Sequence, residues 1–237
     1  MRILVISSCS KRKLHSSPKQ PKCHNSLSYH KIAKWRQRFS DLCVPARDMY
    51  IGPQNTEIVK AVDLLRTIPE IEIQLFIVSA GFGVLDEYDL VPPYDCSFTR
   101  MKMAEIRKRA EDLELRSSFL RLIDNNIDLV YFALGKQYHS ALEKNILKDI
   151  QTPSIVFHKG RAEHLIRIPC AADTVKAFSN HGHKIHGVVG FKGDLLRILA
   201  RHAIDHSHPY TVVKNWTKSY YIRDLIRHLS GLDISGI

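Results

Sequence analysis

Three apolar runs stand out along the chain. Residues 2–7, 73–78 and 129–134 are dense in Ile, Leu, Val and Phe and scarcely alternate with polar residues. A half-solvated strand alternates, so an unbroken run predicts a strand covered on both faces. A shorter run at 154–157 predicts a fourth. Between these runs the apolar spacing shifts to that of helices. Ile32, Trp35, Phe39 and Leu42 predict a helix ended by Pro45, and Ile58, Ala61, Val62 and Leu65 predict one over 55–67. Residues 101–125 predict one long helix, strongly charged on one side, and 138–147 another. The stretches 8–28 and 82–99 predict long loops, the second holding Pro92-Pro93.

The C-terminal pattern differs. Residues 181–193 are rich in Gly and His, and helices are predicted over 194–204 and 218–230. In the second, Ile222, Leu225, Ile226 and Leu229 fall on one face and Gly231 suits a C-cap. Buried strands separated by helices predict an α/β fold, with a mostly parallel central sheet flanked by helices. The division expected is an α/β domain over 1–183 and a basic, His-rich helical extension over 184–237.

Charge sharpens the picture. The chain of 237 residues carries a formal net charge of +11. The excess is clustered: residues 1–47 hold eleven Lys and Arg against one acid, Asp41, whereas 48–183 are slightly acidic. The segment 184–237 is basic again, and seven of the thirteen histidines lie from His181 onward. A clustered basic face fits a polyanion, with DNA as the expected partner. Tyr29, Trp35 and Phe39 lie within the first basic segment, as base-stacking residues or as the buried side of a helix.

No run approaches the about 20 apolar residues of a membrane span. The N-terminus places its apolar run before its charges, the reverse of a signal peptide. Cys9, Cys23, Cys43, Cys96 and Cys170 form no CxxC pair. Together these predict reduced thiols, a cytoplasmic protein and no membrane partner. His181, His183 and His186 cluster, and His202 and His206 are one helical turn apart, but no acid completes a metalloprotease pattern, so no metal is expected. No cofactor fingerprint is present either.

In parallel sheets, ligands collect beyond the carboxyl ends of the strands. The corresponding segments here are Ser8-Cys9-Ser10-Lys11, residues 79–83, Gly135-Lys136 and His158-Lys159-Gly160. Small residues and bases dominate all four, which predicts one anionic-ligand site. Asp48, in the stretch ARDMYIG, is either a carboxylate in a basic cleft or a helix cap or partner of Arg47.

The order of these segments resembles the YaaA-like group. The matching pieces are the first strand with CSKRK, then ARDMYIG, then IVSAGFGVLDEYDLVPPYD, and more weakly LVYFALGKQY and the FKG at Phe191 to Gly193. That group is similar in architecture to the uracil-DNA glycosylase superfamily. The resemblance implies a uracil-DNA-glycosylase-like fold and a DNA glycosylase excising a modified base, such as a glucosylated hydroxymethylated one, from phage DNA without a cofactor. A non-catalytic DNA-binding stress-protection protein is the alternative. On the glycosylase reading, a carboxylate stabilises the oxocarbenium-like sugar: Asp48 first, with Asp89 and Asp95 as alternatives. Ser8, Cys9, Tyr50, Gly52, Ser79, Gly81, Phe82 and Tyr94 contact the base. Lys11, Arg12, Lys13, Lys136, Lys159 and Lys192 hold phosphates.

Overall fold

The computed structural model describes residues 1–23, 31–123, 126–143, 146–157 and 162–234. Tyr29 and the loop carrying Lys159 lie outside the described residues. The central sheet holds β1 (Arg2–Ser8), β3 (Glu72–Ser79), β4 (Gly83–Asp86), β6 (Leu129–Phe132), β7 (Ser154–Val156) and β8 (Leu165–Arg167). Their order is β4-β3-β1-β6-β7-β8. All neighbours run parallel except β4, which pairs antiparallel with β3. Two short strands, β2 (Val44–Pro45) and β5 (Leu90–Val91), form a separate antiparallel ribbon.

The central place of β1 follows from its composition. Leu4 and Ile6 enter one core, and Ile3 and Val5 a second, because successive side chains of a strand alternate between faces. Each is worth about 1.5–3 kcal/mol when fully buried. The first core is closed by α1 (Ile32–Arg38), α4 (Met103–Asp112), α5 (Leu115–Ile123) and α6 (Lys136–Ala141). The second is closed by α3 (Pro53–Leu65), α7 (Ala172–Asn180), α8 (Gly187–Ile204), α9 (Pro209–Asn215) and α10 (Ser219–Ser230). The fold is therefore the α/β arrangement the apolar runs predict.

α8 lies along α3, and its Phe191, Leu195 and Leu199 share a core with Ile58 and Val62. Gly193 makes this approach possible, since a Cβ there would stand 2.2 Å from the carbonyl oxygen of Gln54. The amphipathic pattern of 218–230 matches α10, which ends at Gly231 in the left-handed conformation, φ 71°.

Several elements differ from expectation. The stretch 82–99 is not irregular throughout. Its start folds back as β4 on the edge of the sheet, turning at Gly83 with φ 86°. The helix expected over 101–125 is two helices. Leu113 and Leu115 are both buried, yet they would stand about 200° apart on one continuous helix. A break at Glu114, φ 49°, lets both face inward. The helix over 138–147 is shorter: α6 spans Lys136–Ala141, and a single 3-10 turn follows at Ile146–Lys148. The apolar pattern does not predict β2, β5, β8, α7 or α9.

The cysteines are also corrected. Cys23 and Cys96 form a disulfide, leaving Cys9, Cys43 and Cys170 free. The backbone draws the pair together, because Asp95 N–H donates to the Pro21 carbonyl at 2.9 Å and Cys23 N–H to that of Asp95 at 3.3 Å. No helix among the described residues is long and apolar enough to cross a membrane.

Candidate functional site: a basic cleft at the strand ends

After β1 the chain crosses to β3 on one side, then returns to β6 on the other. Such a reversal leaves a crevice outside the carboxyl ends of the two diverging strands. A cleft of about 460 Å³ lies there. One wall is Ser8 to Arg12, following β1. The next is Gly52 to Asn55, at the start of α3. Gly135, Gln137 and Tyr138 contribute from the start of α6, Ser97 and Thr99 from the loop before α4, and Val188, Val189 and Lys192 from α8.

Six of the residues nominated from the sequence line this cleft together: Ser8, Cys9, Lys11, Arg12, Gly52 and Lys192. Lys11 and Arg12 are exposed on the rim. Lys192 is 8% exposed, with its ammonium 5.9 Å from the centre of the Phe157 ring. No carboxylate is among the described residues lining the cleft, so its electrostatic character is cationic. Lys136 is exposed at the first position of α6, beside Gly135.

Beside the cleft lies a second, closed layer. Tyr50 and Tyr94 are each 1% exposed and meet edge to face. Ser79 Oγ accepts from the N–H groups of Gly81 and Phe82, both at 3.1 Å. Its own hydrogen is then left to donate to Tyr94 Oη at 2.8 Å, and Tyr94 Oη lies 2.9 Å from Tyr50 Oη. Gly81 has no side chain because the Tyr94 ring occupies that space, 2.6 Å from where a Cβ would lie. Phe82 packs edge to face on Tyr94. These five residues are thus brought together, but as a buried layer and not as the open wall of the cleft. Burial raises the phenol pKa of Tyr50 and Tyr94, and the neighbouring Cys9 raises both further.

Lys13 joins the two layers. Its ammonium stands 4.1 Å from the centre of the Tyr94 ring and donates to the Ser10 carbonyl at 3.2 Å. Burial lowers its pKa, opposed by Cys9 and Asp95. Cys9, 4% exposed, holds its sulfur 3.0 Å from Tyr138 Oη. That hydroxyl donates to the Cys9 carbonyl at 3.1 Å and lies 3.2 Å from Ser97 Oγ. Burial pushes the Tyr138 pKa up, reinforced by Cys9.

The three nominated carboxylates are not brought to the cleft. Asp48 is exposed on the short helix α2 (Ala46–Met49). The pair with Arg47 is not formed either, since Arg47 binds Glu87 at 2.7 Å and Asp63 at 2.6 Å. Glu87, 2% exposed, also pairs with Arg66. Asp89 is exposed and accepts from Asp86 N–H in the turn after β4. Asp95 is half-exposed, with Arg100 3.6 Å away. Met49 beside Asp48 and Tyr94 beside Asp95 are buried, whereas Asp89 lies between the exposed Tyr88 and Leu90.

Sequence reasoning missed Gln54, Gln137, Tyr138, Ser97 and Val188. The available signal was Gly52-Pro53, since Pro at the first helical position sets a helix start at the strand ends. Gln54 Nε2 spans the cleft floor, donating to the Ala133 carbonyl at 2.8 Å. Among the histidines, His186 Nδ1 lies 2.7 Å from the buried Asp194. No group of three or more His, Cys, Asp or Glu among the described residues is placed to hold a metal. Set beside known proteins, the chain matches no family model and no curated protein sequence.

Proposed function

We propose that the cleft receives a single nucleotide drawn out of DNA, and that the protein is a glycosylase removing a modified base. One observation carries this reading. A nucleotide-sized cavity at the strand ends is lined by Lys11, Arg12 and Lys192 and by no carboxylate among the described residues. Volumes of about 300–1,000 Å³ suit small-molecule sites. Base chemistry on DNA needs the nucleotide extruded into such a pocket. The rim cations neutralise phosphates.

Breaking an N-glycosidic bond sends the electron pair to the departing base and leaves positive charge on the sugar. Water then adds to the anomeric carbon, and its proton ends on the base. With Asp48, Asp89 and Asp95 outside the cleft, the chain's contribution falls on the leaving base. Lys192 and Gln137 are donors in the cleft that would stabilise negative charge developing there.

The location of those three acids favours a second reading, a DNA-binding protein without chemistry. Incubation with genomic DNA from ordinary and hypermodified phages separates the two. Released bases are followed by mass spectrometry and abasic sites by alkaline cleavage. Base release from one modified DNA, lost in Lys192→Ala but kept in Asp48→Ala, supports the glycosylase and its donors. Salt-sensitive binding to every DNA with no base released supports the binding protein.

A further inference from the structure

We infer that the Cys23–Cys96 disulfide is a redox-responsive clamp on the cleft, closed when oxidised and weakening the grip on DNA when reduced. This rests on the cleft being the DNA site. The bond joins two segments 73 residues apart in sequence, and each carries part of the cleft. Lys11 and Arg12 lie on the loop before Cys23, and Ser97 and Thr99 directly follow Cys96.

The loop bearing the rim cations is held by Gly52 N–H, which donates to Ser10 Oγ at 3.2 Å, and at two places further along. At one, Leu14 N–H donates to the Met49 carbonyl at 2.9 Å. At the other stand the backbone bonds of Pro21 and Cys23 to Asp95, with the disulfide beside them. Across the cleft, Ser97 Oγ reaches Tyr138 Oη, which holds the Cys9 carbonyl. The covalent bond therefore ties the far end of the loop that carries the cationic wall to the segment that carries the hydroxyl-bearing wall. Holding a site in its bound geometry raises affinity by cutting the ordering cost of binding.

The bond is also placed for exchange. Cys96 is 2% exposed, whereas Cys23 is half-buried. A cavity of about 150 Å³ adjoins the pair, with Lys22 and Arg100 in its lining. Asp95 also lines it, 3.6 Å from Arg100, so Lys22 is the cation that favours an incoming thiolate. A dithiol reductant would attack the Cys23 sulfur and expel Cys96 as thiolate. Its second thiol then closes its own disulfide and releases Cys23. Two electrons and two protons pass to the protein, giving two thiols.

The test compares the full chain, oxidised or reduced with dithiothreitol, and the Cys23→Ser and Cys96→Ser variants. Thiol titration sets the state: three free thiols oxidised, five reduced. A fluorescent DNA duplex should bind at least fivefold more tightly to the oxidised protein, and both variants should match the reduced protein with or without dithiothreitol. Hydrogen exchange is followed in parallel at residues 10–14 and 97–101, where reduction should speed exchange at least fivefold. Five free thiols in protein prepared without reductant overturn the clamp, as does equal DNA affinity in the two titrated states. If neither state binds DNA, the reading of the cleft fails, and exchange decides the clamp alone: unchanged rates at both segments overturn it.

Discussion

The Tyr138 hydroxyl sits 3.0 Å from the Cys9 sulfur and bonds the Cys9 carbonyl, tying the end of β1 to the first turn of α6. One atom thus links the two strand-end segments that diverge to make the cleft, and Ser97 joins it from a third.

Tyr138→Phe keeps the ring but leaves the Cys9 carbonyl and Ser97 without that partner. A lost buried hydrogen bond costs about 1–3 kcal/mol. The urea midpoint should fall accordingly, with no change in slope. An unchanged midpoint would mean the hydroxyl does not join these segments.

Glu87 and Asp48 should behave oppositely. Glu87 is buried between Arg47 and Arg66. Its replacement by Gln removes one charge partner from Arg47 and Arg66, which both keep Asp63, and a lost hydrogen bond to a charged group costs about 1.5–3 kcal/mol. Asp48 is exposed, and Asp48→Asn should stay within about 0.5 kcal/mol of the parent. Thermal melts of the two variants check this directly, and a large loss for Asp48→Asn would refute its placement.

Lys11 and Arg12 are the rim cations. If each contacts a phosphate, Lys11→Ala with Arg12→Ala lowers DNA affinity and flattens its salt dependence. Each lost contact removes about 0.9 from the slope of log K against log salt. Affinity titrations across a range of potassium chloride concentrations should show a slope smaller by about 1.8. An identical slope would place the phosphates elsewhere.

Lys13 gives a pH signature. Burial lowers its folded-state pKa below the unfolded value of 10.5. Below the lowered pKa both states hold the proton, and the folded state bears the full cost of a buried charge. As pH rises toward 10.5 the folded protein releases its proton first, and that cost fades. Lys13→Met should therefore stabilise the protein at pH 7, with the gain shrinking at alkaline pH. Urea midpoints for both proteins at the two pH values test it, and a gain that grows with pH would reverse the sign.

Much of the sheet is legible in the chain because β1, β3 and β6 are buried on both faces and read as unbroken apolar runs. β4 is not, since its four residues become a strand only by pairing with Phe76 to Ser79. The break at Glu114 depends on Leu113 and Leu115 needing the same side, a tertiary demand that periodicity reads as one helix. Within the site, Ser8 to Arg12 is legible because its place follows from the strand before it. Asp48, Asp89 and Asp95 lie away from the cleft for a related reason. Each lies within two residues of a side chain that does turn inward, and nearness along the chain does not carry over to the cleft. Tyr138 hides because an aromatic at helical spacing looks like core, and it is core as well as floor.

The placing of α8 against α3, with Gly193 over Gln54, has a consequence in time. Lys192, Val188 and Val189 complete a cleft whose first wall follows the opening strand. A chain emerging from the ribosome exposes its basic N-terminal segment long before α8 exists. Domains assemble as synthesis proceeds, so the early segment meets polyanions only as loose charge. The complete cleft forms only once α8 has been made, long after its first wall.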